Sequence, residues 1–333
     1  MYAYVSTAVL SRRGVTKTQI RLALECCLPR VARGRYVVTH VCDDPVHRVL
    51  WETIESGDTE ELTDFGDMRD EIEGLKVLIR ARAEHLALRE LDGRGPAGRE
   101  VLSHLSAALV HDLPLSRVVE HRVEAVRSIV SRTYPHLRVR RRETPSKQVM
   151  RIGIYRVTTL ERTLIDVARD HPLDVAVPML DHALRHGRAT LERIESELAD
   201  CVETAGAGQI RTALDLADAS RESVAESVCA VRFFEHGILG FEPQVTIWDS
   251  TGAFLGRVDF CHRGAMTIVE VDGLGKYYLG SGVPRVELER EREREAAIRA
   301  AGYRVIRLTW KQLFRPESFR KILELTAART RRP

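Results

Sequence analysis

Hydrophobic and polar positions change period several times along this chain, and the changes mark its elements. Near the C-terminus two short apolar runs, LGRVDF and MTIVEV, flank a polar HRGA turn and read as paired strands. Alternation along the second run sends Ile268, Glu270 and Asp272 to one face and Thr267, Val269 and Val271 to the other. From Ser223 to Leu313 the pattern predicts a helix carrying SVAESV, a strand with QVTIW, a hairpin, the VDF and IVEVDG strands, a charged helix from Glu287 to Ala301 and a strand RVIRL. Gly302 ends the charged helix, and the return as a strand implies a crossover between parallel neighbours in a mixed sheet.

The first forty residues predict a short helix through Val5 to Arg12, a break at Gly14 and a second helix, TQIRLALECC, capped by Thr16 or Thr18. LPRVARGRYVV then supplies two strand-like pieces around Arg33 and Gly34, the pattern of a helix-turn-helix followed by a wing. Such a placement directs Lys17, Gln19 and Arg21 at a major groove and sets Arg33 and Arg35 near phosphate. A small protein-docking module with solvated arginines is the alternative.

Between these ends the chain is acidic over 55–74, then helical from Leu75 to Leu91 before the break DGRGPAG. VLSHLSAALVHDLPL and YRVTTLERTLIDVAR read as helix-bearing stretches, the second capped by Thr159 and burying Leu160, Leu164, Ile165 and Ala168. His104, His111, His182 and His186 read as surface or capping residues rather than metal ligands. Arg138, Arg140, Arg141, Arg142 and Lys147 form the densest basic run, either a solvated face or a phosphate-contacting one. TAGAGQIR opens the C-terminal region. The domains implied are 1–42, 43–208 and 209–328.

The chemistry suggested by the strand pair is that of carboxylates. Asp259, Glu270 and Asp272 sit in or beside apolar runs, where like charges are costly unless a divalent cation or solvent compensates them. Hard oxygen ligands of this kind suit Mg²⁺ or Mn²⁺. The alternatives are solvent-facing acids at strand ends, or an Asp259 paired with an arginine such as Arg257 or Arg307. In the charged helix, Glu287 and Arg290, Glu289 and Arg292, and Glu291 and Arg294 are opposite pairs at i,i+3, so self-pairing competes with a phosphate-facing role for Arg290 and Arg294.

The last third of the chain resembles the nuclease-like domains related to very-short-patch-repair endonucleases, within the PD-(D/E)XK, restriction-endonuclease-like group. The pieces that carry the resemblance are SVAES, GRVDF, IVEVDG and AAIRAAGYRVIRLTWKQL. It implies metal binding by Asp259 and Glu270, an assisting role for Glu226, and phosphodiester hydrolysis with Mg²⁺ or Mn²⁺. The wider group often has lysine two residues after the second acid, where this chain has Asp272; Asp272 is then a further ligand, and Lys276 is the lysine able to reach back. The N-terminal and middle stretches resemble AbiEi-type antitoxins of type IV toxin-antitoxin and abortive-infection systems, with the usual first helix lacking room ahead of Tyr2. That resemblance implies a multidomain α/β protein with an N-terminal winged helix-turn-helix, DNA as partner, a nucleotidyltransferase-like toxin as a second, and a setting in phage defence. The non-catalytic alternative is an antitoxin or transcriptional regulator that keeps a degenerate nuclease fold.

Composition changes the picture only slightly. A length of 333 residues suits two or three domains, and a net charge of +3 demands no nucleic-acid partner by itself. No run of about 18 apolar residues and no charged leader before an apolar core appear, so a cytoplasmic protein without a membrane partner is expected. Cys26, Cys27, Cys42, Cys201, Cys229 and Cys261 show no CxxC pair or zinc-like His spacing, so buried reduced thiols are expected and a structural zinc is not.

Overall fold

The computed structural model describes residues 3–24, 26–32, 34–38, 42, 44–53, 71–91, 100–134, 136–201, 205–272 and 285–330. Arg33, Lys276, the acidic positions 55–70, DGRGPAG and Thr204 lie outside the described residues. The fold is mixed α/β. It divides into two compact units, 1–167 with 193–205 and 168–192 with 206–333. No helix among the described residues is long and apolar enough to cross a membrane.

The first unit opens with β1 (Ala3–Ser6), α1 (Thr7–Arg12), α2 (Lys17–Ala23), β2 (Arg30–Ala32), β3 (Arg35–Val38) and α3 (Pro45–Thr53). The three strands form one antiparallel sheet in the order β1-β3-β2. The helix expected from Val5 starts only at Thr7, because Val5 pairs with Tyr36 across the sheet and packs in the core with Leu10 and Leu28. Long-range pairing overrides local propensity there. Ser6 caps α1 through the Val9 N–H, and Thr16 closes a capping box with Gln19 at the start of α2. Each such cap is worth about 1 kcal/mol.

The same unit continues with α4 (Glu71–Leu91), β4 (Val101–Leu102), α5 (His104–Val110), β5 (Val123–Arg127), β6 (Arg132–Tyr134), β7 (Leu137–Arg141), β8 (Val149–Ile152), β9 (Tyr155–Thr158) and most of α6 (Leu160–Asp170). Helix α4 begins at Glu71, so the end of the expected acidic linker is already helical. The sheet runs β6-β7-β5-β4-β9-β8 and alternates antiparallel and parallel neighbours. Two local expectations fail here. The Thr159 hydroxyl is buried without a hydrogen-bond partner and does not cap α6; its carbonyl instead accepts the Thr163 N–H and hydroxyl. Nor is α6 one-sided, since residues 161–169 are all buried, with Arg162 and Asp166 paired within the helix.

The second unit contains α7 (Leu173–Arg185), α9 (Ala207–Leu216), α10 (Val224–Glu235), β10 (Glu242–Trp248), β11 (Phe254–His262), β12 (Thr267–Asp272), α11 (Arg285–Ala300), β13 (Arg304–Thr309) and α12 (Pro316–Thr330), while α8 (Leu191–Ala199) straddles the boundary. Its sheet runs β10-β11-β12-β13, antiparallel twice and then parallel, and the parallel pair is joined through α11. One face packs Phe260, Val269, Val271 and Leu308 with α10 and α12; the other packs Val258, Cys261, Ile268 and Val305 with Ile298 of α11. Val258 and Cys261 share a face while Phe260 takes the opposite one, so strict alternation breaks at Asp259. That break falls on the residue expected to carry chemistry.

Candidate functional site

Asp259 and Glu270 come from neighbouring antiparallel strands, one position beyond the Phe260–Val269 pair in register. The Val271 N–H donates to Asp259 Oδ2 at 2.7 Å, so the carboxylate is drawn towards the β12 backbone and held by it. Glu270 Oε1 accepts from Arg294 Nη2 of α11 at 3.2 Å, and Arg294 Nη1 donates to the Arg257 carbonyl at 3.0 Å. Arg294 lies so close over β11 that a Cβ at Gly256 would meet its Cδ at 3.1 Å. Glycine at 256 therefore makes room for the guanidinium that reaches Glu270. The described acid that Arg294 meets is Glu270 of the sheet; the side chains of Glu287, Glu289 and Glu291 lie outside the described residues.

Glu226 stands in the first turn of α10 and is buried. Ser223 Oγ donates to Glu226 Oε1 at 2.7 Å, and the Glu222 N–H and Gln244 Nε2 donate to Oε2 at 3.0 and 2.6 Å. Ser223 Oγ also accepts the Glu226 N–H as the N-cap of α10, so Glu226 closes on the helix start through the Ser223 hydroxyl and the preceding Glu222 N–H. The Gln244 contact ties it to β10 through a residue held at φ 53°, a left-handed conformation unusual for glutamine. The charges of Glu226 and Asp259 converge on Cys229, one turn further along α10. Burial pushes that thiol well above the usual cysteine range, and the Asp259 charge raises it further, with Arg221 opposing.

Asp272 is half-buried at the end of β12, opposite Thr309. Among the described residues, the four acids do not converge as a group of three or more donors all within 4.8 Å of one another. The arginines weighed as partners of Asp259 have other contacts: Arg257 donates to Glu222 at 2.7 Å and Arg307 to Glu295 at 3.1 Å. Trp310 is half-buried and packs edge-on with Phe314 beside the core, as a rim aromatic.

At the other end of the chain, Lys17 and Arg21 lie one turn apart on the exposed side of α2, and Arg35 is exposed on β3. Gln19 is turned back instead, its Oε1 accepting from the Thr16 N–H at 2.8 Å. The basic run of the middle stretch is largely consumed by acids that the sheet brings across from other strands and loops. Arg140 is buried on Glu124, Arg138 donates to Glu120 and Lys147 to Asp200. The histidines expected at the surface are partly internal: His104 and His111 are buried, His104 against the Ser103 hydroxyl and His111 Nε2 2.8 Å from the Thr158 carbonyl. His182 and His186 stack with ring centroids 4.1 Å apart; burial and the neighbouring His186 lower the His182 pKa.

One group escaped the sequence reading altogether. Cys26, Cys27, Cys42 and His47 bring their ligand atoms to within 4.8 Å of one another, although their spacing fits no familiar pattern. No family model, curated protein or solved structure matches the chain.

Proposed function

We propose that this chain is a DNA-binding protein whose second unit cleaves DNA phosphodiester bonds with Mg²⁺ or Mn²⁺. The observation that carries the reading is the juxtaposition of Asp259 and Glu270 across the β11–β12 pair, in a sheet ordered antiparallel, antiparallel, parallel with α10 before it and α11 in its crossover. This order supports the restriction-endonuclease-like fold implied by GRVDF and IVEVDG. The donor set fits a hard cation: Mg²⁺ is commonly held by one or two carboxylates and completes its octahedron with water and phosphate oxygens. Asp259 and Glu270 would hold it, and it would supply an activated water and neutralise charge on the phosphate.

The chain's own residues have separable tasks in this scheme. The Val271 N–H fixes the Asp259 carboxylate through Oδ2. Arg294 is a guanidinium already at the acids, and exchanging Glu270 for a non-bridging phosphate oxygen would place positive charge where it develops. Glu226 orients the N-terminus of α10 and Gln244 rather than meeting substrate directly. In the first unit, the order β1-α1-α2-β2-β3 with its β1-β3-β2 sheet supports a winged helix-turn-helix. Lys17, Arg21 and Arg35 are among its exposed cations.

A second reading, a regulator or antitoxin without turnover, is favoured by one specific observation: Glu270 already has a cationic partner in Arg294. Its partners would be DNA and a nucleotidyltransferase-like toxin. The deciding experiment incubates the full chain with single-stranded, duplex and mismatched DNA in Mg²⁺, Mn²⁺ or Ca²⁺. Cleavage with Mg²⁺ or Mn²⁺ that disappears in Asp259→Asn and Glu270→Gln supports the nuclease. Salt-sensitive DNA binding without cleavage, weakened by the Lys17→Ala, Arg21→Ala double variant, supports the regulator instead.

A further inference from the structure

The geometry points to a structural zinc site in the first unit, formed by Cys26, Cys27, Cys42 and His47, and this inference stands whether or not the second unit is a nuclease. The four ligand atoms all lie within 4.8 Å of one another, drawn from three separate segments of chain. Cys26 and Cys27 follow α2, Cys42 follows β3, and His47 sits in the first turn of α3. Three thiols and an imidazole make the soft, borderline donor set that selects zinc over the hard cations suited to carboxylates.

The separations agree with a shared ion. Zinc bonds of about 2.3 Å to sulfur and about 2.0–2.1 Å to nitrogen, at tetrahedral angles, put neighbouring sulfurs about 3.7–3.8 Å apart and a sulfur and nitrogen about 3.5 Å apart. Cys26 and Cys42 Sγ are 3.7 Å apart, and Cys42 Sγ is 3.4 Å from His47 Nδ1. A Cys26–Cys42 disulfide would account for two of these groups and leave Cys27 and His47 converging on nothing. It would also require the sulfurs to close to about 2.05 Å.

Burial and fold supply the reason for a metal here. Cys27, Cys42 and His47 are buried beside Leu28, Val38 and Leu50, while Cys26 faces outward, as in a site at the edge of a core. This core serves three short helices and a three-stranded sheet, and small cores of this kind are commonly stapled by a metal. An ion held by these four residues ties α3 to the end of α2 and to Cys42, which follows β3. Its binding free energy becomes folding free energy for the segment.

The test uses the full chain, grown with zinc and purified in reductant. Wild type should carry one zinc per chain, and replacing it with Co²⁺ should give tetrahedral ligand-field absorption together with thiolate-to-cobalt charge transfer. Cys42→Ser and His47→Ala should each lose the metal, while Cys201→Ser, outside the cluster, should keep it. Should the ligand variants fail to fold, a thiol-blocking mercurial added to wild type should release zinc stoichiometrically. Zinc-free wild type with reduced thiols, a Cys26–Cys42 disulfide found by mass spectrometry, or zinc retained in both ligand variants overturns the assignment.

Discussion

The buried carboxylates of the first unit and those of the candidate site are held differently, although elsewhere in the second unit Asp174 and Asp181 also meet guanidinium groups, of Arg232 and Arg221. In the first, guanidinium groups do the work: Arg162 grips both oxygens of Asp166 at 3.0 and 3.1 Å, Arg140 meets Glu124, and Arg82 and Arg127 both close on Glu100. In the second unit, at the candidate site, the described contacts of Glu226 are a hydroxyl, an amide and a backbone N–H, and Asp259 takes the Val271 N–H. A carboxylate locked by a full guanidinium is structural and has little electrostatic need for another cation. A neutral donor, by contrast, orients a carboxylate without cancelling its charge. Glu270 lies between these cases, with the partly exposed Arg294 as its partner.

The largest effect that sharpens this contrast is expected at Asp166. Asp166→Ala strands Arg162, which is 1% exposed, and removing one partner of a buried pair costs about 3–5 kcal/mol. Denaturant unfolding of the full chain should show the first unit losing stability while the second keeps its transition. A loss below about 1 kcal/mol would mean that the guanidinium finds solvent easily, and the contrast with the candidate site would then lapse.

An effect of opposite sign in the two units is expected on acidification. Burial alone would raise the Glu100 carboxyl, but the hydrogen bond and charge of Arg82, with Arg127, outweigh it and hold the group below its ordinary range. Asp181 shows the reverse, since burial outweighs Arg221 and the Asp218 N–H and leaves its carboxyl raised. The Glu100 contribution is therefore fully present above the ordinary glutamate pKa of about 4.3 and is lost as pH falls through its lower folded value. Asp181 instead opposes folding when charged, and that cost is relieved as pH falls through its raised folded value. Carboxyl-carbon NMR titration should place Glu100 below and Asp181 above their unfolded positions; the same order for both would erase the distinction.

How much of this was legible in sequence depends on whether partners are local. The β11–β12 pair and the crossover to β13 follow from short apolar runs, the HRGA turn and Gly302, all readable within a few residues. The contacts of Glu226 with Ser223 and Glu222 at the start of α10 are equally local, yet the acid reads more readily as chemistry than as part of a helix start. Glu120 and Glu124 reach Arg138 and Arg140 only because β5 lies beside β7, so a run that looked unopposed along the chain is matched across the sheet. The same limit hid Arg294 on Glu270 and brought Cys42 and His47 to Cys26 and Cys27. Adjacent cysteines do not follow the spacing of two to four residues usual for zinc ligands, and only folding the wing puts Cys42 beside them.

A smaller effect at Asp259 separates a held carboxylate from a free one. Relief of charge repulsion alone would let Asp259→Ala keep or gain stability without metal. The Val271 N–H changes that expectation, because alanine removes its acceptor and leaves a partly buried donor unsatisfied, at a cost of about 1–3 kcal/mol. Asp259→Asn retains an oxygen for the N–H while removing the negative charge, so it should stay within about 1 kcal/mol of wild type. Thermal unfolding of the two variants in chelator, and again in Mg²⁺, separates the contributions. Mg²⁺ should raise the transition of wild type and leave both variants unmoved, since a cation bound only by the folded state stabilises in proportion to its occupancy. If asparagine proves as damaging as alanine, the charge itself is structural, and Asp259 belongs with Asp166 rather than opposite to it.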